Sequence, residues 1–139
     1  MNEFERPRFF AGKLLTAEDL DREQRYHMEK RRLLNRMLQG TGVVSGLEVV
    51  PHDADAVTVG PGFALDALGR EIVVGEPQEV VLPPGGGRIS VCLVYSEVET
   101  ERGTVRETFQ LVATEAQTPE DAVVLAVVAD GVVEVASDA

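Results

Sequence analysis

The stretch RRLLNRMLQGTGVVSGLEVV, residues 31–50, holds the change on which the fold turns. Before Gly40 the apolar residues Leu33, Leu34, Met37 and Leu38 fall at helical spacing, whereas from Val43 onward apolar residues alternate or run in short bursts, the spacing of strands. Gly40 is the stop between the two regimes, because glycine takes the left-handed conformation that closes a helix. Reading back from it predicts a helix over residues 16–39. Thr16 is its N-cap, with Asp19 three residues on in a variant of the capping box, and Glu18, Asp19 and Asp21 place negative charge on the first turn. Arg31, Arg32 and Arg36 lie toward the other end, as the helix dipole favours. Such a rod is roughly 36 Å long at 1.5 Å per residue, so it is expected to project or to lie across a surface.

Reading forward, nine short runs follow: 43–50, 56–60, 63–67, 70–75, 78–82, 88–97, 106–114, 122–128 and 132–136. Turn signals such as GPG, PPGGG, TERG and DG separate them, and 12 of the 13 Gly lie after residue 39. That spacing predicts an all-β sandwich or barrel of about nine strands. ISVCLVY (89–95) is apolar on both faces and reads as a central strand, while RETFQLVAT (106–114) alternates as a half-buried one. The expected architecture is mainly β: an N-terminal arm (1–15), one long α-helix (16–39) and a β domain (40–139), forming a single domain of 139 residues.

Charge divides at the same place. The net charge is −11, of which residues 1–39 carry +2 and residues 40–139 carry −13. Nucleic-acid affinity rests on Lys and Arg displacing condensed counterions, so the acidic part argues against phosphate-backbone binding; in residues 1–39 the basic groups are interleaved with acids as on a solvated helix face, and no nucleic-acid partner is expected. No apolar run approaches the ~20 residues needed to cross a bilayer, and MNEFERPRFF is not a signal peptide; synthesis in the cytoplasm and no direct membrane insertion are expected. Cys92, the single cysteine, sits in an apolar run and reads as a buried, inert thiol.

Few residues invite a catalytic reading. GTGVVSG (40–46) follows a helix and enters a strand, the reverse of a dinucleotide-binding loop, and Ser45 lacks the flanking pattern of a nucleophile elbow. Glu23 and His27 stand one helical turn apart without a third metal ligand. His52, Asp53 and Asp55 could hold a cation or, more simply, shape their own turn. Asp66 is expected to shape a turn, and Arg70 and Glu71 to occupy exposed strand positions. No catalytic residue, cofactor or metal is therefore assigned, and the protein is expected not to be an enzyme.

The apolar stripe of the helix is incomplete. Leu20, Gln24, His27, Arg31, Leu34 and Leu38 follow a 4-3-4-3-4 spacing, with Leu at both ends and polar residues in the middle. Either the carboxy-terminal leucines pack on the chain's own β domain, or several copies meet about an axis with Gln24, His27 and Arg31 as polar layers fixing register. The arm poses the same alternative. Phe9, Phe10, Leu14 and Leu15 are too apolar for water, so they dock on the chain's own sheet or insert into a neighbour.

Residues 8–49, RFFAGKLLTAEDLDREQRYHMEKRRLLNRMLQGTGVVSGLEV, followed by VTVGPGFALDALGREIVV (57–74), resemble a family of small proteins and fibre amino-terminal modules of phage-like contractile tails and extracellular contractile injection systems. The matching positions are Phe10, Gly12, Leu14, Leu15, Thr16 and Asp19, then Glu23, Gln24, Tyr26, His27, Asn35 and Arg36, and finally Gly40, Gly42, Val43, Val44, Gly46 and Leu47. The likeness extends from about Arg6 to Gly131; Thr41 and Ser45 stand where the family often has Trp and Cys. It implies a structural adaptor or cap of a tail or baseplate, part of a particle that can be released outside the cell. The partners it implies are other tail or baseplate subunits and further copies of the chain, expected as a trimer, with Phe9, Phe10, Leu14, Leu15, Leu20, Gln24, His27, Arg31, Leu34 and Leu38 at the subunit interface. No fibre shaft follows the module, so a receptor-binding role is not expected. The alternative is a β-sandwich binding module for a small ligand or peptide.

Overall fold

The computed structural model describes residues 3–85 and 87–136. Helix α1 spans Ala17–Leu34, and Thr16 caps it reciprocally: Thr16 Oγ1 accepts from the Asp19 amide at 3.2 Å, and Asp19 Oδ2 accepts from the Thr16 amide at 3.3 Å. A capping interaction of this kind contributes about 1 kcal/mol. The expected helix of 16–39 does not stay α-helical to its end. Asn35–Gln39 form a wider π-helical turn, closed by a hydrogen bond from the Gly40 amide to the Asn35 carbonyl at 3.0 Å, and Gly40 takes φ +75°.

Among the described residues ten strands follow, one more than the nine runs predict: β1 (Gly42–Gly46), β2 (Val49–Asp53), β3 (Ala56–Val59), β4 (Gly62–Leu65), β5 (Glu71–Val74), β6 (Gln78–Val81), β7 (Ile89–Glu99), β8 (Val105–Thr114), β9 (Val123–Ala129) and β10 (Val132–Val135). The additional strand arises because the run 43–50 is two strands joined by a corner. Gly46 (φ +64°) and Leu47 (φ +57°) are both left-handed. The Leu47 amide is held by the Pro61 carbonyl at 3.1 Å, and a Cβ on Gly46 would collide with that same carbonyl. Leu47 tolerates its uncommon conformation because its side chain is buried in the core. The corner passes the chain from one sheet to the next.

All strand pairs are antiparallel, in three sheets ordered β1-β4-β5, β2-β3-β6 and β10-β9-β7-β8. They enclose one core containing Leu47, Val57, Val59, Ile72, Val91, Leu93 and Leu125, so the architecture is sandwich-like and not a closed barrel. As its two-faced apolar pattern requires, β7 is internal, between β8 and β9, and Cys92 is fully buried on it. Phe109, Leu111 and Ala113 of β8 turn toward the core.

Candidate functional site

The helix adds nothing to that core. No residue of α1 or of the π-helical turn is buried. Its polar contacts with the β domain, among the described residues, all come from Arg31, Arg32, Asn35 and Arg36. Arg31 reaches Glu71 of β5 through both Nε and Nη2, the latter at 2.8 Å. Asn35 Nδ2 donates to the Gly69 carbonyl at 3.0 Å and to Glu71 Oε1 at 3.2 Å, and Arg36 Nη1 donates to the Leu68 carbonyl at 3.3 Å. Gly69 (φ +81°) lets the turn approach this closely, since a Cβ there would strike the Arg32 carbonyl. The helix thus leans on the β4–β5 turn by its carboxy-terminal turns alone.

Beneath that contact lies a connected set of charges. Asp66 is fully buried; its Oδ1 accepts from the amides of Leu68 (3.0 Å) and Arg70 (2.9 Å), and its Oδ2 from Arg70 Nε (2.7 Å). Arg70 Nη2 also donates to Asp121 at 2.7 Å, and its guanidinium lies 4.7 Å from the centre of the Tyr95 ring. Burial alone would push the Arg70 guanidinium down, but the hydrogen bonds and charges of Asp66 and Asp121 together outweigh it and hold it above its ordinary value. The Tyr95 hydroxyl lies 2.7 Å from Glu107 and 2.9 Å from Glu97. Burial first, then these two carboxylates, push its pKa well above the usual range.

This corrects the expectation that Arg70 and Glu71 are exposed strand residues. Arg70 precedes β5 and is largely covered, and Glu71, its first residue, is taken up by the helix. Strand alternation reports only which way a side chain points from its own sheet; here another element covers both. The signal that was present in the sequence is D-A-L-G-R (66–70), an aspartate that accepts amide hydrogens two and four residues on across a glycine turn.

The expected interface residues fall into two groups. Phe9, Phe10, Leu14, Leu15, Leu20, Leu34 and Leu38 are all exposed, from 48% for Phe9 to 83% for Leu14, as is Met37. Of the carboxy-terminal apolar residues only Leu33 is half-buried, lining a cavity wall with Leu68, while Leu34, Met37 and Leu38 stay off the chain's own β domain. Gln24 is exposed, and His27, also exposed, faces Glu23 at 3.0 Å and meets the Tyr26 ring edge-on. Arg31 stands apart, because its guanidinium, on a side chain that is still largely exposed, already clamps Glu71 of its own chain. The arm itself has neither helix nor strand over its described residues. Lys13 organises it, donating to the Arg8 carbonyl at 2.8 Å and lying over the rings of Phe9 and Phe10 at 5.5 and 5.9 Å.

The metal reading also changes composition. His52, Asp53 and Glu79 bring ligand atoms within 4.8 Å of one another on the surface, whereas Asp55 is not part of the group: its amide donates to Asp53 Oδ1 at 2.8 Å, the turn-shaping role. Ser45 lies exposed on β1, a strand that no helix follows. No helix is long and apolar enough to cross a membrane among the described residues. Between α1 and strands β5 and β8 there is a cleft of about 340 Å3, lined by Met28 and Val73 and by the charged groups of Arg31, Arg32, Glu71 and Glu107. Comparison with models of protein families and with curated proteins finds no match to this chain.

Proposed function

We propose that the chain is a non-enzymatic structural adaptor or cap of a phage-tail-like contractile injection particle, assembling through its N-terminal arm and α1, as a trimer, against other tail or baseplate subunits. One observation carries this reading: most of the large apolar residues of the arm and helix face water in the single chain. At on the order of 200 Å2 per fully exposed large side chain, the exposures of Phe9, Phe10, Leu14, Leu15, Leu20, Leu34, Met37 and Leu38 amount to roughly 1,000 Å2. A standard interface buries about 800 Å2 per partner. A surface of this size suits assembly. The resemblance of residues 8–49 to tail-module sequences supplies the class of particle, and the charge of −13 on residues 40–139 suits an outward face that repels unwanted neighbours.

A binding module for a small ligand or peptide is the second reading, favoured by the cleft beside α1, whose volume falls at the lower end of ligand sites of about 300–1,000 Å3. Its charged lining groups already serve one another, as Arg31 serves Glu71, which leaves fewer free groups for a ligand. Light scattering at tens of micromolar decides between the two. The adaptor reading expects a mass three times 15.1 kDa, and a strict monomer that also recovers no tail components in a pull-down would remove it.

A further inference from the structure

The sheet β2-β3-β6 carries three metal-ligating side chains on its outer face, brought together by its register. Val57, Val59 and Val80 belong to the core, so Ala56, Thr58 and Glu79 between them lie on the other side of the sheet. On β2, Pro51 stands opposite Val57 and Asp53 opposite Ala56, which leaves His52 as an extra residue, a bulge. In a regular strand the neighbours His52 and Asp53 point to opposite faces; a bulge re-aims side chains, and here it turns both toward Glu79. Ligand atoms of all three lie within 4.8 Å of one another.

The strand between them makes the meeting possible. β2 and β6 are roughly 9.6 Å apart across β3, and side chains that lean over that distance need a small residue beneath them. Ala56 is such a residue: it is 3% exposed yet stands outside the core cluster. The three groups do not satisfy one another. His52 Nε2 and Glu79 Oε1 are 3.9 Å apart, too far for a hydrogen bond. Asp53 and Glu79 bring two carboxylates close together, and among the described residues neither is paired with a Lys or Arg. Asp53 also has the outer support that metal ligands commonly have, because its Oδ1 accepts from the Asp55 amide at 2.8 Å and the carboxylate is thereby oriented.

We propose that His52, Asp53 and Glu79 bind a zinc ion through one imidazole nitrogen and two carboxylate oxygens, with water in the fourth position. The donor set selects the metal: Mg2+ and Ca2+ take oxygen ligands, whereas imidazole suits Zn2+. One nitrogen and two oxygens with an open position are a set that tetrahedral Zn2+ accepts. At bonds of about 2.0–2.2 Å the ligand atoms around such an ion are roughly 3.4 Å apart, so the groups draw in by roughly 1 Å. All three side chains are exposed, and small torsions about staggered bonds supply that movement. The ligands belong to one chain, so the site stands apart from the assembly reading.

The test titrates the untagged full chain with zinc chloride by isothermal titration calorimetry and follows the histidine ring signals by NMR. The sequence holds two histidines, so each is read separately. One zinc per chain is expected, with the His52 signals moving and those of His27 in place. His52→Ala and Glu79→Gln alter exposed positions and should keep the far-UV spectrum of the parent. Each should weaken zinc binding by more than about tenfold, since even changes outside the ligand set cost 10–100-fold. His27→Ala, which breaks the Glu23–His27 pair on α1, should leave binding unchanged. A parent chain that takes up no zinc when the metal is in excess overturns the site. So does zinc that moves the His27 signals first, or that binds both substituted chains as tightly as the parent.

Discussion

Arg31 in α1 and Glu71 at the start of β5 are 40 residues apart in sequence and meet through two nitrogen–oxygen contacts. Glu71 holds the Arg31 pKa above its ordinary value, first by hydrogen bonding and then by charge. With Asn35 on the same carboxylate, this pair fixes the angle at which the helix leaves the β domain.

The Arg31 side chain is solvent-exposed, and exposed ion pairs contribute little to global stability because water and salt screen them. Glu71→Gln should therefore leave the urea midpoint of the β domain unchanged while loosening the helix. Hydrogen exchange checks this: amides of residues 17–39 should lose protection while those of β7 and β9 keep theirs. Equal loss in both would mean that the helix and the sandwich unfold as one unit.

Arg70 behaves differently because its principal partner, Asp66, is fully buried. Removing one member of a buried pair leaves an uncompensated charge, so Arg70→Ala should lower stability by about 3 kcal/mol in denaturant unfolding. The two amide hydrogen bonds that Asp66 retains keep the loss at the low end of the usual range. Asp121→Ala, which removes the more exposed partner, should cost less than half as much.

Tyr95 predicts the response to base. Its folded pKa lies above the unfolded value of about 10, so the neutral phenol is favoured in the fold. The stability this contributes is fully present below the unfolded value and is lost as pH rises through the folded one. An ultraviolet titration should show the Tyr95 step arriving together with loss of the circular-dichroism signal, and Tyr95→Phe should remove that step. Ionisation of both tyrosines, Tyr26 and Tyr95, with the fold intact would contradict the burial argument.

How far the sequence discloses this protein depends on the range of each interaction. The Thr16–Asp19 cap and the strand alternation of β7 and β8 are local chemistry, and the residues display both. The corner at Gly46–Leu47 is not local: Leu47 takes φ +57° because Pro61 holds its amide and the core holds its side chain, and neither shows in the run 43–50. Likewise Arg70 finds Asp121 across 51 residues, a partner no periodicity reports. For the arm and helix the sequence leaves two answers open; within the chain Phe9, Phe10, Leu14, Leu15, Leu20, Leu34 and Leu38 remain exposed, because their partners, wherever they lie, are not residues that periodicity can name.

That exposure makes the sharpest test a comparison of two leucines. Leu34 is more than half exposed and Leu47 almost wholly buried, so the same charge placed at each should act on different equilibria. Leu34→Asp removes nothing from the core, and surface substitutions usually shift stability by no more than about 0.5 kcal/mol. Its far-UV spectrum should be that of the parent, while light scattering should report a monomer in place of the proposed trimer. Leu47→Asp buries a carboxylate without a partner in the sandwich and should abolish folding. If Leu34→Asp instead unfolds the chain, the helix is part of the fold and the surface it offers to other copies is not Leu34; if it folds and stays oligomeric, the subunits meet elsewhere.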